Sequence, residues 1–391
     1  MSTIKANKLE HISTANGGIQ LDNAGHVTVD GQQMPTAGAL SNRNLIINGA
    51  MQVAQRSTSA VTVSNNSNEG YSTLDRWHLN FNDSLAGAVS FEQSSDSPAG
   101  FANSIKIQCS TTNSSLTGNQ SLSLSQRIEA QNVQLLNYGS SDAVKITLSW
   151  YMKVETYAGP ISVNLRLRDG TNEYYTISVT PTTSWARYSL DIPESTSGTV
   201  DDDNGEGLRV SFFLAANTSG VNSASSDSTA WSTTRSDYRD NIGNLLSNTS
   251  NAFYITGVQL EVGEKATPFE HRSYGDELAR CRRYCQLVRH TRYSPYVIRG
   301  SNGNVGSTQP WMLPVAMRSS VGSEEITISS LRIFNGLNST SSSTEAGGVS
   351  VSSDGTDFRF YFHDISTLSN NELQIVSNYS SSQNFVLDAE L

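Results

Sequence analysis

The side chains best suited to chemistry in this sequence are aromatic and acidic. Trp150-Tyr151, Tyr174-Tyr175, Trp185, Tyr188 and Trp231 lie in or beside stretches of alternating apolar and polar residues. On an alternating strand, one residue of each adjacent pair must face outward. A solvated Tyr or Trp face flanked by Asn, Asp and Arg is a stacking platform for a sugar ring. Tyr151, Tyr175, Trp185 and Trp231 are the candidates for that role. The alternative for each is ordinary half-buried packing. A second cluster, Asp201-Asp202-Asp203-Asn204-Gly205-Glu206-Gly207, concentrates oxygen ligands. Ca²⁺ takes about six to eight of them, so Asp201 and Asp203 are candidates for a structural calcium site. No bidentate Glu stands at the twelfth position of an EF-hand loop and no flanking helices are expected, so a solvated acidic turn is the alternative. No other cofactor is expected.

Cysteine and histidine offer less. Cys109, Cys281 and Cys285 do not form a disulfide framework. Cys281 and Cys285 are one helical turn apart, a poor fit for a disulfide. They are read as small apolar residues rather than a redox pair or metal site. The six His residues are scattered, with no zinc-ligand spacing. The sequence has no Gly-x-Ser-x-Gly elbow, no His-Glu-x-x-His and no phosphate-binding Gly loop. Its carboxylate pairs, Glu324-Glu325 and Asp201–Asp203, lie in turn-like sequence. An enzyme is therefore not expected.

The elements that must position these residues follow from composition. The 391 residues carry 26 Lys and Arg against 36 Asp and Glu, a net charge of −10. Charged residues make up 16%, against roughly 25% in an ordinary soluble domain. Ser, Thr and Asn fill the difference, and these residues suit pleated surfaces and turns. An acidic chain without a basic stripe is not a nucleic-acid binder, because phosphate contacts need clustered Lys and Arg. No apolar run approaches the ~20 residues of a membrane span. Met1-Ser2-Thr3-Ile4-Lys5 has no apolar core of a secretory leader, so none is expected.

Four regions are expected. Residues 1–41 hold short apolar triplets, Ile19-Gln20-Leu21 and Val27-Thr28-Val29, separated by turn residues. Strands of that length bury no core in one chain. They are read as several chains wrapped into an intertwined β region, the alternative being a disordered arm. Residues 42–272 read as a jelly-roll β-sandwich. Its strands are expected at 104–108, 121–125, 144–154, 161–168, 174–179, 186–192, 208–214 and 253–261. In Val144-Lys145-Ile146-Thr147-Leu148-Ser149-Trp150 every second residue is apolar, the signature of one buried and one wet face. Residues 273–290 read as a helix. Leu278, Cys281, Cys285 and Val288 follow at spacings of 3, 4 and 3, a stripe that must pack either on its own domain or on copies of the helix gathered around an axis. Residues 291–391 return to β structure as a smaller sandwich. The fold class is all-β with one short helix.

A resemblance to known proteins rests on an ordered set of motifs. Asn44-Leu45-Ile46-Ile47-Asn48-Gly49-Ala50-Met51-Gln52-Val53-Ala54-Gln55-Arg56 opens the large region, and Leu74-Asp75-Arg76-Trp77 follows. Ile255-Thr256-Gly257-Val258-Gln259-Leu260-Glu261-Val262-Gly263 and Ala266-Thr267-Pro268-Phe269-Glu270-His271-Arg272 close it, before Leu278-Ala279-Arg280-Cys281-Arg282-Arg283-Tyr284-Cys285. The set resembles tail-fibre and virion structural proteins of tailed bacteriophages, especially marine and cyanobacterial ones. The likeness is specific at 44–77 and 255–285 and loose elsewhere. The jelly roll is also similar to carbohydrate-binding modules. The resemblance implies a homotrimer, attached through its N-terminus to phage tail or adaptor proteins, that recognises a host-surface glycan. It further implies synthesis in the host cytoplasm and residence in the virion, with no membrane insertion. A purely structural virion component and a polysaccharide depolymerase are the alternatives. Trp77 is expected in the core, with Asp75 and Arg76 as a buried or half-buried pair, rather than in sugar stacking.

Overall fold

The computed structural model describes residues 41–290 apart from 66, with shorter stretches toward both termini: 8–9, 18–21, 25–29, 32–34, 296–301, 304–307, 311–312, 314–319, 332–335, 344–345, 348–353, 357–363, 374–377 and 383–390. Two compact units result, Met1–Tyr274 and Gly275–Glu390.

In the first unit the two apolar triplets are strands, as their alternation predicts. β1 (Lys8–Leu9), β2 (Ile19–Leu21), β3 (Val27–Val29) and β4 (Gln32–Gln33) pair in sequence order as an antiparallel meander. Its apolar side chains lie open: Leu9 is 59% exposed, Ile19 45%, Leu21 42% and Met34 41%.

The rest of the unit is a β-sandwich of jelly-roll type. One sheet has six strands in the order β13-β10-β17-β8-β7-β5. These are β5 (Val61–Ser64), β7 (Ala88–Ser94), β8 (Ser104–Thr111), β10 (Ile146–Glu155), β13 (Ala186–Ile192) and β17 (Ala252–Val262). The other has five, in the order β12-β11-β14-β9-β6. These are β6 (His78–Asn82), β9 (Ser121–Glu129), β11 (Ile161–Leu167), β12 (Glu173–Val179) and β14 (Glu206–Ala216). All eight strands expected from alternation are present. A small parallel pair, β15 (Ser223–Ala224) and β16 (Tyr238–Arg239), belongs to a long loop considered below.

Alternation sets the core. The inner faces contribute Leu79, Phe81, Phe91, Leu124, Trp150, Val163, Leu165, Phe212 and Phe253, all packed in one cluster between the sheets. Trp77 is fully buried there, in agreement with its expected role. Its indole Nε1 donates to the Asn48 carbonyl at 3.1 Å. Asn48 holds the turn around it: its side chain donates to the carbonyls of Val53 and Asp75 and accepts from the Val53 N–H at 2.9 Å. Asn44 ties the same segment to β17, through Val258 and Leu260. A Cβ on Gly49 would lie 2.2 Å from the Val258 carbonyl oxygen, so only glycine fits this crossing. Asp75 and Arg76 are buried. Asp75 accepts from the Gln55 N–H at 2.8 Å and lies 3.9 Å from Arg56, while Arg76 donates to the Arg127 carbonyl. These motif residues hold the sandwich together.

The second unit corrects the helix reading. α1 covers Tyr274–Arg282, nine residues. Cys285–His290 is a strand, β18. Leu278 and Cys281 remain helical, but Cys285 and Val288 lie on β18, so the four do not form one stripe. The run Cys285-Gln286-Leu287-Val288-Arg289 is too short for its pattern to separate helix from strand, and a partner strand decides between them. That partner pairs Cys285 with Asp388 and Val288 with Phe385. Cys281 and Cys285 are buried, and neither is in a disulfide.

The remaining strands are β19 (Tyr296–Ser301), β20 (Asn304–Ser307), β21 (Trp311–Met312), β22 (Arg332–Asn335), β23 (Thr344–Glu345), β24 (Gly348–Ser353), β25 (Asp357–His363), β26 (Gln374–Ser377) and β27 (Gln383–Asp388). β27 pairs with β18, and the others form one eight-stranded antiparallel sheet. Among the described residues no helix is long and apolar enough to cross a membrane.

Candidate functional site

The outer face of the five-stranded sheet carries the most developed site. Register places its side chains in rows across the strands. One row is Arg127, Arg209, Arg166 and Tyr174, from β9, β14, β11 and β12. The next is His78, Ser125, Ser211, Asn164 and Thr176. The third begins Asn80, Ser123, Phe213 and Ser162. A single-layer outer face is ordinarily wet. Here Ser123, Ser125, Asn164, Thr176 and Ser211 are nevertheless buried.

The cover is the loop from 217 to 243. Asn164 Nδ2 donates to the Ser236 carbonyl at 3.0 Å, and Thr176 Oγ1 donates to the same oxygen. Tyr174 and Ser232 exchange backbone hydrogen bonds at 2.9 and 3.1 Å. The Arg239 N–H donates to Ser162 Oγ at 2.8 Å, and its guanidinium closes the loop on the carbonyls of Ala224 and Ser225. Phe213, Ala216, Tyr238 and Ile242 form a small apolar cluster beneath the loop. A cleft of about 180 Å³ remains between the loop and β6. The sheet forms its floor, with Asn80, Asn82 and His78 toward one side and Arg235 and Asp237 toward the other.

Its electrostatics are dominated by guanidinium groups. Arg127, Arg166, Arg209 and Arg235 line the cleft, with Asp237 the only carboxylate among the lining residues. Arg235 is held by Asp237, at 2.7 and 2.9 Å. Arg209 forms a fork to Glu206, both contacts at 2.6 Å. Arg127 and Arg168 also approach Glu206, each at 3.7 Å. Arg166 makes no ion pair among the described residues and lies over the Tyr174 ring at 5.0 Å. Burial, then the Arg127 and Arg209 charges, push the His78 imidazole down to about 3. The ring is therefore neutral at physiological pH and a hydrogen-bonding group rather than a fifth cation. Burial also lowers Arg127 and Arg166 from their ordinary values.

The aromatic candidates do not converge. Tyr175 faces the core, whereas its neighbour Tyr174 faces the cleft side. Trp231 packs against the core beside Tyr138 and Tyr175 and donates to the Pro193 carbonyl at 2.7 Å. Tyr151 and Trp185 belong to the outer face of the six-stranded sheet. Tyr151 joins a half-exposed aromatic group with Phe101, which in turn contacts Phe269 and His271 at about 5.1 Å. Trp185 donates to Asp96 at 2.9 Å and lies against Tyr254. Asp201 and Asp203 are exposed, and Asp203 accepts from the Gly205 N–H at 2.8 Å. No group of three or more His, Cys, Asp or Glu that could hold a metal occurs among the described residues. The cleft residues were not candidates in the sequence. Their signal was the polar half of each alternation: His78-x-Asn80-x-Asn82, Ser121-x-Ser123-x-Ser125-x-Arg127, Asn164-x-Arg166 and Arg209-x-Ser211.

No family model matches the chain. No curated protein matches it. Solved structures similar to it include an enzymatically active domain of bacteriophage CBA120 tailspike protein 4, at 11% identity and a TM-score of 0.30. That match covers 56% of this chain and 21% of the tailspike chain. A family 11 carbohydrate-binding module from Clostridium thermocellum is similar at 12% identity and a TM-score of 0.27, covering 55% of this chain and 99% of the module. A tandem CBM22 pair from Paenibacillus barcinonensis Xyn10C is similar at 10% identity and a TM-score of 0.29, over 91% of this chain and all of that one. At these TM-scores the likenesses carry no weight in assigning a ligand.

Proposed function

We propose that the first unit binds a glycan in the cleft on the outer face of its five-stranded sheet. The observation that carries this reading is the cleft's chemistry: serine hydroxyls, asparagine amides and guanidiniums converge on about 180 Å³ of recessed space. Sugar hydroxyls are donors and acceptors in fixed array, and such side chains match them. The volume is below the roughly 300–1,000 Å³ of pockets for drug-sized ligands, so a saccharide is held one or two units at a time. Binding is favoured over hydrolysis, because glycosidases pair two carboxyl groups across the bond and Asp237 stands alone in this lining.

The larger setting we propose is a bacteriophage tail fibre. It is a homotrimer fixed to the virion through residues 1–41 and presents the clefts to the host surface. The motif resemblance at 44–77 and 255–285 supports the setting. The open apolar side chains of the N-terminal meander support a region covered by partner copies. Three modest sites per fibre, and several fibres per particle, then gain avidity.

The test is binding of the full-length chain to an immobilised panel of neutral and acidic polysaccharides, beside Ser123→Trp, which fills the cleft floor. Binding by the native chain and its loss in the variant is the expected result. Undiminished binding by the folded variant contradicts the cleft. Light scattering is expected to give three chain masses, falling toward one without residues 1–40. A monomeric full-length chain contradicts the fibre.

A further inference from the structure

We infer that the cleft selects an anionic saccharide, its charged group held by Arg127, Arg209 and Arg166 and its hydroxyls by the serine and asparagine rows. This inference rests on the glycan-binding reading above and adds the charge of the ligand.

The geometry points there in three ways. First, Arg127, Arg209 and Arg166 are direct cross-strand neighbours on three adjacent strands. Like charges placed opposite one another destabilise a sheet, so this row requires counter-anions. Second, cations outnumber carboxylates in the lining: Arg127, Arg166, Arg209 and Arg235 stand against Asp237, which is engaged by Arg235. Glu206 is engaged by both arms of Arg209 and is approached by Arg127 and Arg168. Arg166, at the far end of the row, has no carboxylate within 4 Å among the described residues, its charged neighbour Asp237 being held by Arg235, and its Nε is buried without a hydrogen bond. Buried polar atoms are paired in the great majority of proteins, and an exception calls for an explanation. Third, the row lies at one end of a floor that is otherwise neutral. Beyond it come Ser125 and Ser211, then Asn80 and Ser123. The cleft thus has a cationic end and a hydroxyl-matching end. A planar guanidinium fork pairs with a carboxylate or with a sulfate or phosphate ester through two parallel hydrogen bonds. This cationic end stands out in a chain whose net charge is −10.

The test compares matched polymers on the full-length protein: polygalacturonate against its carboxyl-reduced form, and dextran sulfate against dextran. The two pairs separate carboxylate from sulfate recognition. At least one anionic polymer is expected to bind about tenfold or more tightly than its neutral match, the scale of one charge-assisted pair. Raising NaCl should erode the preference, as screening requires. Arg166→Gln should reduce the preference about tenfold, and Arg166→Lys should restore part of it. Lys145→Gln, which removes a charge paired with Glu264 outside the cleft, should leave it unchanged. Because the salt series uses the native protein, it reads the charge preference even if an arginine variant fails to fold.

Equal binding of the charged and neutral polymers, or a preference indifferent to both salt and Arg166, overturns the anionic inference and leaves the glycan reading intact. Binding to none of the four polymers or the wider panel overturns both. Anionic preference that survives Ser123→Trp also overturns both, because it places the contact outside the cleft.

Discussion

The two outer faces of the sandwich solve the problem of surface cations differently. On the six-stranded sheet, Glu92, Lys106, Tyr254 and Lys153 form one cross-strand row. Each cation there has its own counter-group. Lys106 meets Glu92 at 3.3 Å, and Lys153 meets Asp96 at 2.5 Å while lying 4.5 Å from the Tyr254 ring centre. The segment after β17 returns over the same face, where Thr267 binds Glu261 and Glu270 binds Gln259. On the five-stranded sheet, three arginines stand side by side; Glu206 lies within 4 Å of two of them, and the Asp237 charge acts on the third. In the row on the first face each lysine has its own counter-group, whereas on the second Arg166 has no carboxylate within 4 Å among the described residues and its charged neighbour Asp237 is paired with Arg235.

The largest expected effect tests the environment of His78. Its imidazole is neutral in the fold with a pKa near 3, against 6.5 when free. The unfolded chain takes up a proton at this site as pH falls below about 6.5, while the folded chain does not until about 3. Stability is therefore lost across that window, by roughly 1 kcal/mol per pH unit. His78→Asn should flatten the stability profile between pH 6.5 and 4 relative to the native chain, measured by urea unfolding. Parallel profiles would mean that the cleft floor is wetter than its burial indicates.

The opposite face gives the next test. Tyr151→Ala removes a ring packed on Phe101 and should cost about 1–2 kcal/mol of stability. Affinity for polysaccharide should stay within about twofold of the native value. A tenfold loss of affinity with little loss of stability would move the site to the six-stranded sheet.

The smallest effect concerns the arginine row. Relieving one like-charge neighbour should make Arg166→Gln more stable than the native chain in low salt, by about 0.2–1 kcal/mol, even as it weakens anionic binding. Thermal unfolding at two salt concentrations checks the sign. A destabilised variant would make the row a structural feature already balanced in the free protein.

Much of the fold was legible because alternation is local. Every expected strand of the large region exists, and Trp77 lies in its core. His78-Leu79-Asn80-Phe81-Asn82 alternates equally clearly, although it was not among the strands expected. The expected helix runs too long because Cys285–His290 is too short for its pattern to separate helix from strand, and its partner strand begins only at Gln383. The site was less legible. Asn164-x-Arg166 marks an outward face, but only register brings Arg166 beside Arg209 and Arg127 from distant parts of the chain. Nor does local sequence show that Ser232 and Ser236 fold over that face. In the pair Tyr174-Tyr175, the preceding strand phase decides which ring faces the cleft side, and it selects Tyr174.

The most direct test of the cleft is hydrogen–deuterium exchange of the full-length chain, with and without the tightest-binding polysaccharide of the panel. Slowed exchange is expected at 69–71, 117–120 and 231–237, the segments bordering the cleft. Slowed exchange confined to 96–101 and 267–272, on the other sheet, would contradict the account.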